Sequence, residues 1–178
     1  MDFFETLTQR NAAFARDGFS AELKMLPSRR TIILGCVDPR VDPMDILQLE
    51  PGEALVIRNI GGRINPALFE TLDILRAVAG GAGQQLGAGW NLLVLHHTHC
   101  GIVGCYHHAP DLLAKHLCVA VDALEDMAIT DPYKAVAIDI EKLRANPEIP
   151  GGFTVTGLVY DVATGLIETV VPPAPLRA

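Results

Sequence analysis

Thr31-Ile-Ile-Leu-Gly-Cys-Val-Asp-Pro-Arg40 and Asn91-Leu-Leu-Val-Leu-His-His-Thr-His-Cys-Gly101 decide how this chain is read. Each is a short apolar run, rich in branched side chains, that ends abruptly in residues able to bind a metal. Continuous apolar character over so few residues predicts strands buried on both faces, as in a parallel sheet. The first run delivers Cys36, Asp38 and Arg40 at or just past its end, and the second delivers His97 and Cys100. Two thiolates with an imidazole suit Zn²⁺. Three protein ligands leave a fourth position for solvent, the pattern of a catalytic rather than a structural zinc.

The rest of the chain supplies helices between such strands. Residues 2–16 predict an amphipathic helix with Phe3, Phe4, Leu7 and Phe14 as its apolar contacts, a helix suited to packing on a neighbouring subunit. After the strand at 31–35, Asp42-Pro43 opens a short helix, since Asp caps well and Pro suits the first turn. A turn at Pro51-Gly52 leads into a strand at 54–58 and a loop at 59–62. A helix over 66–79 carries Leu68, Leu72, Leu75 and Val78. The glycine-rich stretch 80–89 follows a helix and precedes a strand, the reverse of a dinucleotide-binding loop, and reads as a connector. A strand at 91–95, helices at 111–127 and 134–145, and strands at 153–160 and 166–171 around a turn at 163–165 complete the pattern. Residues 172–178 read as a tail.

Strands alternating with helices predict an α/β fold: a mainly parallel central sheet flanked by helices, with an antiparallel edge hairpin near the C-terminus. In open sheets of this kind ligands sit beyond the carboxyl ends of strands, where both metal-capable segments fall. At 178 residues and 49% hydrophobic, the chain is sized for a single domain spanning 1–178. A net charge of −7 and the absence of a basic stripe argue against nucleic acid. No apolar run reaches the length of a membrane helix and the first residues lack a secretory pattern, so the expected location is cytoplasmic. In that compartment four cysteines read as thiols or metal ligands. Cys105 and Cys118, outside the two segments, read as small buried hydrophobes.

Cys-x-Asp-x-Arg after one strand and His-x-x-Cys-Gly after another resembles the β-class carbonic anhydrases. Here the motifs are Cys36-Val-Asp38-Pro-Arg40 and His97-Thr-His-Cys100-Gly101, and the likeness extends to Gly52-Glu53 and to Val56-Ile-Arg-Asn-Ile-Gly-Gly62. The resemblance implies a β-carbonic-anhydrase-like domain with one Zn²⁺ per subunit on Cys36, His97 and Cys100. It implies Asp38 and Arg40 as the catalytic pair, reversible hydration of CO₂ to bicarbonate, and a homodimer or higher homo-oligomer. Gly61, Gly62, Gly101 and His99 are the expected pocket residues. Related enzymes use the same ligands to hydrolyse carbonyl sulfide or carbon disulfide, which is the alternative activity; a non-catalytic zinc or thiol module is a remoter one.

The ligand set carries its own chemical demand. Two thiolates cancel the formal charge of Zn²⁺, so water there ionises less readily than at an all-histidine site. Asp38 can then orient the hydroxide by accepting its hydrogen, while Arg40 keeps the carboxylate ionised and aimed. A purely structural site has no use for such a pair. Two positions depart from the family pattern: Pro39, commonly serine, and His99, often aspartate. Proline presets the backbone but removes a donor. His99 reads either as a proton relay or as a plain loop residue. His96, next to the ligand, reads as a supporting or core residue, and Arg58-Asn59 as a buttress for the neighbouring loop. Trp90 reads as a packing residue, and His107, His108 and His116 as surface or interface histidines rather than a second metal site.

Overall fold

The computed structural model describes residues 2–177. Five strands form one sheet in the order β2-β1-β3-β4-β5. They are β1 (Thr31–Cys36), β2 (Ala54–Asn59), β3 (Asn91–His97), β4 (Thr154–Tyr160) and β5 (Ile167–Pro175). The first four run parallel, and β5 returns antiparallel to β4. The predicted fold class is therefore the observed one.

The chain leaves β1 for β2 on one side and later fills β3 on the other, so the strand order reverses between β1 and β3. That reversal opens a crevice at the carboxyl ends of the two strands, where ligands sit in folds of this kind. Thr31, Ile32, Ile33 and Leu34 pair in register with Asn91, Leu92, Leu93 and Val94. Cys36 and His97 thus emerge side by side at the same end of the sheet.

Alternation divides the core between two faces. Ile32, Leu34, Leu92, Val94, Val155 and Val159 pack with Leu68 and Leu72 of α3 (Pro66–Gly81) and Val136, Ile140 and Leu143 of α6 (Pro132–Ala145). Trp90 and Phe153 are buried in this larger cluster, in agreement with the packing role expected for Trp90. The opposite face, with Ile33, Leu95 and Leu158, is covered mainly by Ile46, Leu47 and Leu49, at and beyond the end of the one-turn α2 (Pro43–Ile46). Every residue of α1 (Phe3–Asp17) is exposed or half-exposed, Phe3 and Phe4 by 73% and 72%.

Three expectations are corrected. The single helix over 111–127 is two pieces, α5 (Pro110–Leu117) and a 3-10 turn at Asp122–Met127, and a further helix that the sequence reading did not include, α4 (Ile102–His108), precedes them. The break falls at Cys118, which takes a left-handed backbone (φ 55°) and ends α5. Cys118 is exposed and Cys105 half-buried, so neither is the buried small hydrophobe its composition suggested. Residues 172–175 are not a tail but the end of β5, and Leu176 is buried beyond them, its N–H donating to the Phe153 carbonyl at 2.7 Å. Proline cannot donate to a sheet ladder, and β5 tolerates it because it is an edge strand whose register shifts in this stretch.

Candidate metal centre

Cys36 ends β1, His97 ends β3, and Cys100 follows one turn later, just before α4. Their ligand atoms all lie within 4.8 Å of one another, with the two sulfurs 3.7 Å apart. Cys36 and His97 are buried and Cys100 is half-buried. His97 Nδ1 lies 2.9 Å from the Thr98 carbonyl. A carbonyl only accepts, so Nδ1 carries the proton and Nε2 presents a lone pair toward the sulfurs. Among the described residues, Nε2 of His97 is the one buried side-chain nitrogen or oxygen without a partner. A buried acceptor with no donor, facing two thiols, fits a metal.

The thiols behave as a pair. A hydrogen bond from Cys100 pulls the Cys36 thiol down to about 4, against the opposing effect of burial, with His97 adding to the drop. The proton left on Cys100 is held up by its bond to Cys36 and by burial. The pair thus favours a thiolate on Cys36 and a thiol on Cys100, and a divalent ion held between them would displace the remaining proton.

Asp38 and Arg40 form a closed unit beside the sulfurs. Arg40 donates to Asp38 through its backbone N–H (3.0 Å), Nε (3.0 Å) and Nη2 (2.6 Å), the latter two on different carboxylate oxygens. Pro39 occupies the corner of this turn, where its fixed φ is compatible and no donor of its own is called for. Arg40 Nη2 also donates to the His99 carbonyl at 3.0 Å, tying the Asp38 loop to the loop after β3. The Arg40 side chain, donating to Asp38, holds that carboxyl well below the usual carboxylate range.

Arg58 and Asn59 brace this arrangement from β2. Arg58 Nε donates to the Cys36 carbonyl and Nη2 to the Asp38 carbonyl, both at 2.8 Å, while Nη1 pairs with Asp42. Asn59 clasps the 3-10 turn at Ile60–Gly62 by accepting from the Arg63 N–H (2.9 Å) and donating to the Arg63 carbonyl (2.8 Å). The buttressing expected of the two residues is visible bond by bond.

An open cavity of about 490 Å³ is lined by Cys36, Asp38, Cys100, Gly61 and Gly101, with an apolar wall that includes Val37, Ile60, Ile102 and Leu112. A smaller one of about 40 Å³ lies behind it, bounded by Arg63, His96, His97 and His99. Gly62 lines neither. It is buried with φ 65°, and a side chain there would meet the backbone of Gly35, Cys36 and Leu95 at 3.1–3.2 Å. Its missing side chain serves strand packing rather than substrate approach. His99 is exposed with φ 52°, and the bond the structure gives it is made by its carbonyl. His107 and His108 are exposed, and His116 lies beside Asn65 at the far end of α5, away from the sulfurs.

Two buried charged residues escaped the sequence reading: Arg63 and Asp139, 2% and 0% exposed by side chain, joined at 2.7 Å. The signal was Asp139 itself, an acid inside the apolar stripe Val136, Ile140 and Leu143 of α6, where an unpaired charge is prohibitive.

Fold and site together define an α/β protein with a cluster of two cysteines and one histidine, able to hold a metal ion, at its topological switch point. The chain belongs to the β-class carbonic anhydrases, an enzyme family: the family model described as carbonic anhydrase matches residues 31–167. It is 29% identical over 155 residues to β-carbonic anhydrase 1 of Mycobacterium tuberculosis, spanning 87% of this chain and 90% of that one. It superposes on the crystal structure of the Streptococcus mutans carbonic anhydrase with a TM-score of 0.72 and 29% identity, covering 96% of this chain and 98% of the other. It is also 25% identical over 170 residues to a carbon disulfide hydrolase of an Acidianus strain, covering 80% and 78% of the two chains.

Proposed function

We propose that this protein is a zinc-dependent carbonic anhydrase that interconverts CO₂ and bicarbonate, one zinc ion per subunit being held by Cys36, His97 and Cys100. The observation that supports it above all is that the Asp38 carboxylate, gripped by Arg40, lines the same cavity as the Cys36 and Cys100 sulfurs. Zinc, when bound, supplies the Lewis acidity that makes water a nucleophile at neutral pH. The protein's share is orientation. Asp38 accepts the hydrogen of the attacking solvent and so turns a lone pair toward carbon, and Arg40 keeps that carboxylate charged and unable to rotate. Val37, Ile60, Ile102 and Leu112 offer CO₂ an apolar wall, and Gly61 and Gly101 leave the approach uncrowded. His99, exposed and bordering the smaller cavity, is the residue we assign to pass protons to buffer.

The same apolar wall would admit carbonyl sulfide or carbon disulfide, and the Acidianus relative makes the comparison worth running. Stopped-flow CO₂ hydration and sulfide release, measured on one zinc-loaded preparation of known metal content, separate the two. The expected result is CO₂ hydration with about one zinc per chain and no sulfide release, and an Asp38→Ala variant that keeps its zinc but not its rate. Hydration at the parent rate in that variant would refute the role given to Asp38, and a chain that takes up no zinc would refute the whole reading.

The working form is a homodimer or larger homo-oligomer in the cytoplasm, with α1 packed on a neighbouring copy. Phe3, Phe4, Leu7 and Phe14 are all exposed on that helix, an apolar set that a neighbouring copy would cover. Among the described residues no helix is long and apolar enough to cross a membrane.

A further inference from the structure

Behind the metal-binding side chains lies a buried ionic group that the proposed chemistry does not use. Asp139 Oδ2 accepts from Arg63 Nε at 2.7 Å and from the Ile64 N–H at 3.2 Å, and His96 Nε2 lies 3.3 Å away. Its Oδ1 lies 3.4 Å from Arg63 Nη2 and 3.9 Å from Lys142 Nζ. Arg63 Nη2 reaches on to the Met127 carbonyl at 3.0 Å, and His96 Nε2 is also within 3.2 Å of the Gly62 carbonyl. Both neighbours of His96 Nε2 are acceptors, so that nitrogen carries the proton; it donates to the Gly62 carbonyl with Asp139 Oδ2 alongside. Burial alone would push the Asp139 carboxyl up; the His96 N–H and the Arg63 charge outweigh it and hold it below its ordinary value.

These partners sit on the two pieces of backbone that set the ligand spacing. His96 immediately precedes His97 on β3. Arg63 and Ile64 immediately follow Gly62, which is wedged against the backbone of Gly35, Cys36 and Leu95. The wedge therefore fills the gap between the strand end that carries Cys36 and the strand end that leads to His97 and Cys100. Asp139 pulls on both sides of it from α6. Arg63 and His96 also share the small cavity behind the centre with His97 and Cys100.

We propose that Asp139 is a positioning residue for the metal ligands: through Arg63, Ile64 and His96 it fixes the spread between Cys36 on one strand and His97 with Cys100 on the other. This rests on the metal reading given above. Stability is a poor reason for such a group, because a buried ion pair replaced by apolar side chains of similar size often leaves a fold as stable as before. Groups that orient ligands from behind, by contrast, are worth about 10–100-fold in metal affinity.

The test uses the metal-free full chain, its Asp139→Asn variant, and the Arg63→Met/Asp139→Leu double variant, in which both charges are removed so that folding is not confounded by an unpaired one. Each is titrated with Zn²⁺ against a chromophoric chelator and with Co²⁺, whose visible and sulfur charge-transfer bands report ligand geometry; melting of the metal-free chains is followed alongside. The expected result is zinc binding weaker by about 10–100-fold in both variants and displaced cobalt bands. The metal-free double variant should melt close to the parent. Parent-like zinc affinity, or weakening that merely follows a lower melting temperature with cobalt bands unchanged, would make the group structural only and overturn the inference. A parent chain that takes up neither metal would refute the metal reading itself, and this inference with it.

Discussion

A β-carbon on Gly62 would stand 3.2 Å from the backbone nitrogen of Cys36. The glycine also holds a left-handed φ of 65°, so two independent constraints exclude a side chain there. Gly62→Ala should cost about 1–3 kcal/mol of stability, read from denaturant unfolding of the metal-free chain. An unchanged midpoint would mean that the wedge can yield.

Arg58 offers a cleaner separation of geometry from ligation. Replacing it with methionine removes the donors to the Cys36 and Asp38 carbonyls and the partner of Asp42, yet deletes no candidate ligand. Hydration should fall about tenfold or more while zinc content stays near one per chain. Lysine should not rescue it, lacking the planar fork that reaches several acceptors at once. Rescue by lysine would show that charge alone matters.

Arg40→Gln frees an Asp38 carboxylate that the arginine otherwise holds at both oxygens. The expected loss of hydration rate is on the order of a hundredfold, with zinc retained and the fold unchanged by circular dichroism. A rate within twofold of the parent would assign the orienting work elsewhere.

Metal removal should register as lost stability, since the three ligand atoms converge only in the folded chain. With free zinc a hundredfold above its dissociation constant, chelation should lower the unfolding free energy by about 2.7 kcal/mol. A His97→Ala variant should melt at the same temperature with and without chelator. A chelator effect that survives this substitution would place the ion somewhere else.

Helix α1 contributes no buried residue to its own chain. Deleting residues 2–17 should therefore leave the sheet domain folded but lower the assembly mass seen by sedimentation. An unchanged mass would free α1 of any role in self-association.

Strand-to-ligand geometry was readable because it is local. An apolar run that stops at Cys36 or His97 states both the strand and where its last side chain emerges. The Asp38–Arg40 unit spans three residues and Arg58 follows a recognisable strand, so these too were within reach. What escaped depends on contacts distant in sequence. Arg63 and Asp139 are 76 residues apart, and only the folded chain shows that they neutralise each other. The break in the 111–127 helix turns on one left-handed residue, Cys118, which helical periodicity does not register. Gly61 and Gly62 both pack too closely for a side chain, against Ile102 and against the backbone of Gly35, Cys36 and Leu95 respectively, and composition does not say that only Gly61 also borders a cavity.

Pro172, Pro173 and Pro175 lie on β5, at the outer margin of the sheet. A strand studded with prolines presents too few N–H groups to template another, so stacking of copies edge to edge is discouraged on that flank. The proline-bearing part of that flank thus offers no open template for fibrous growth.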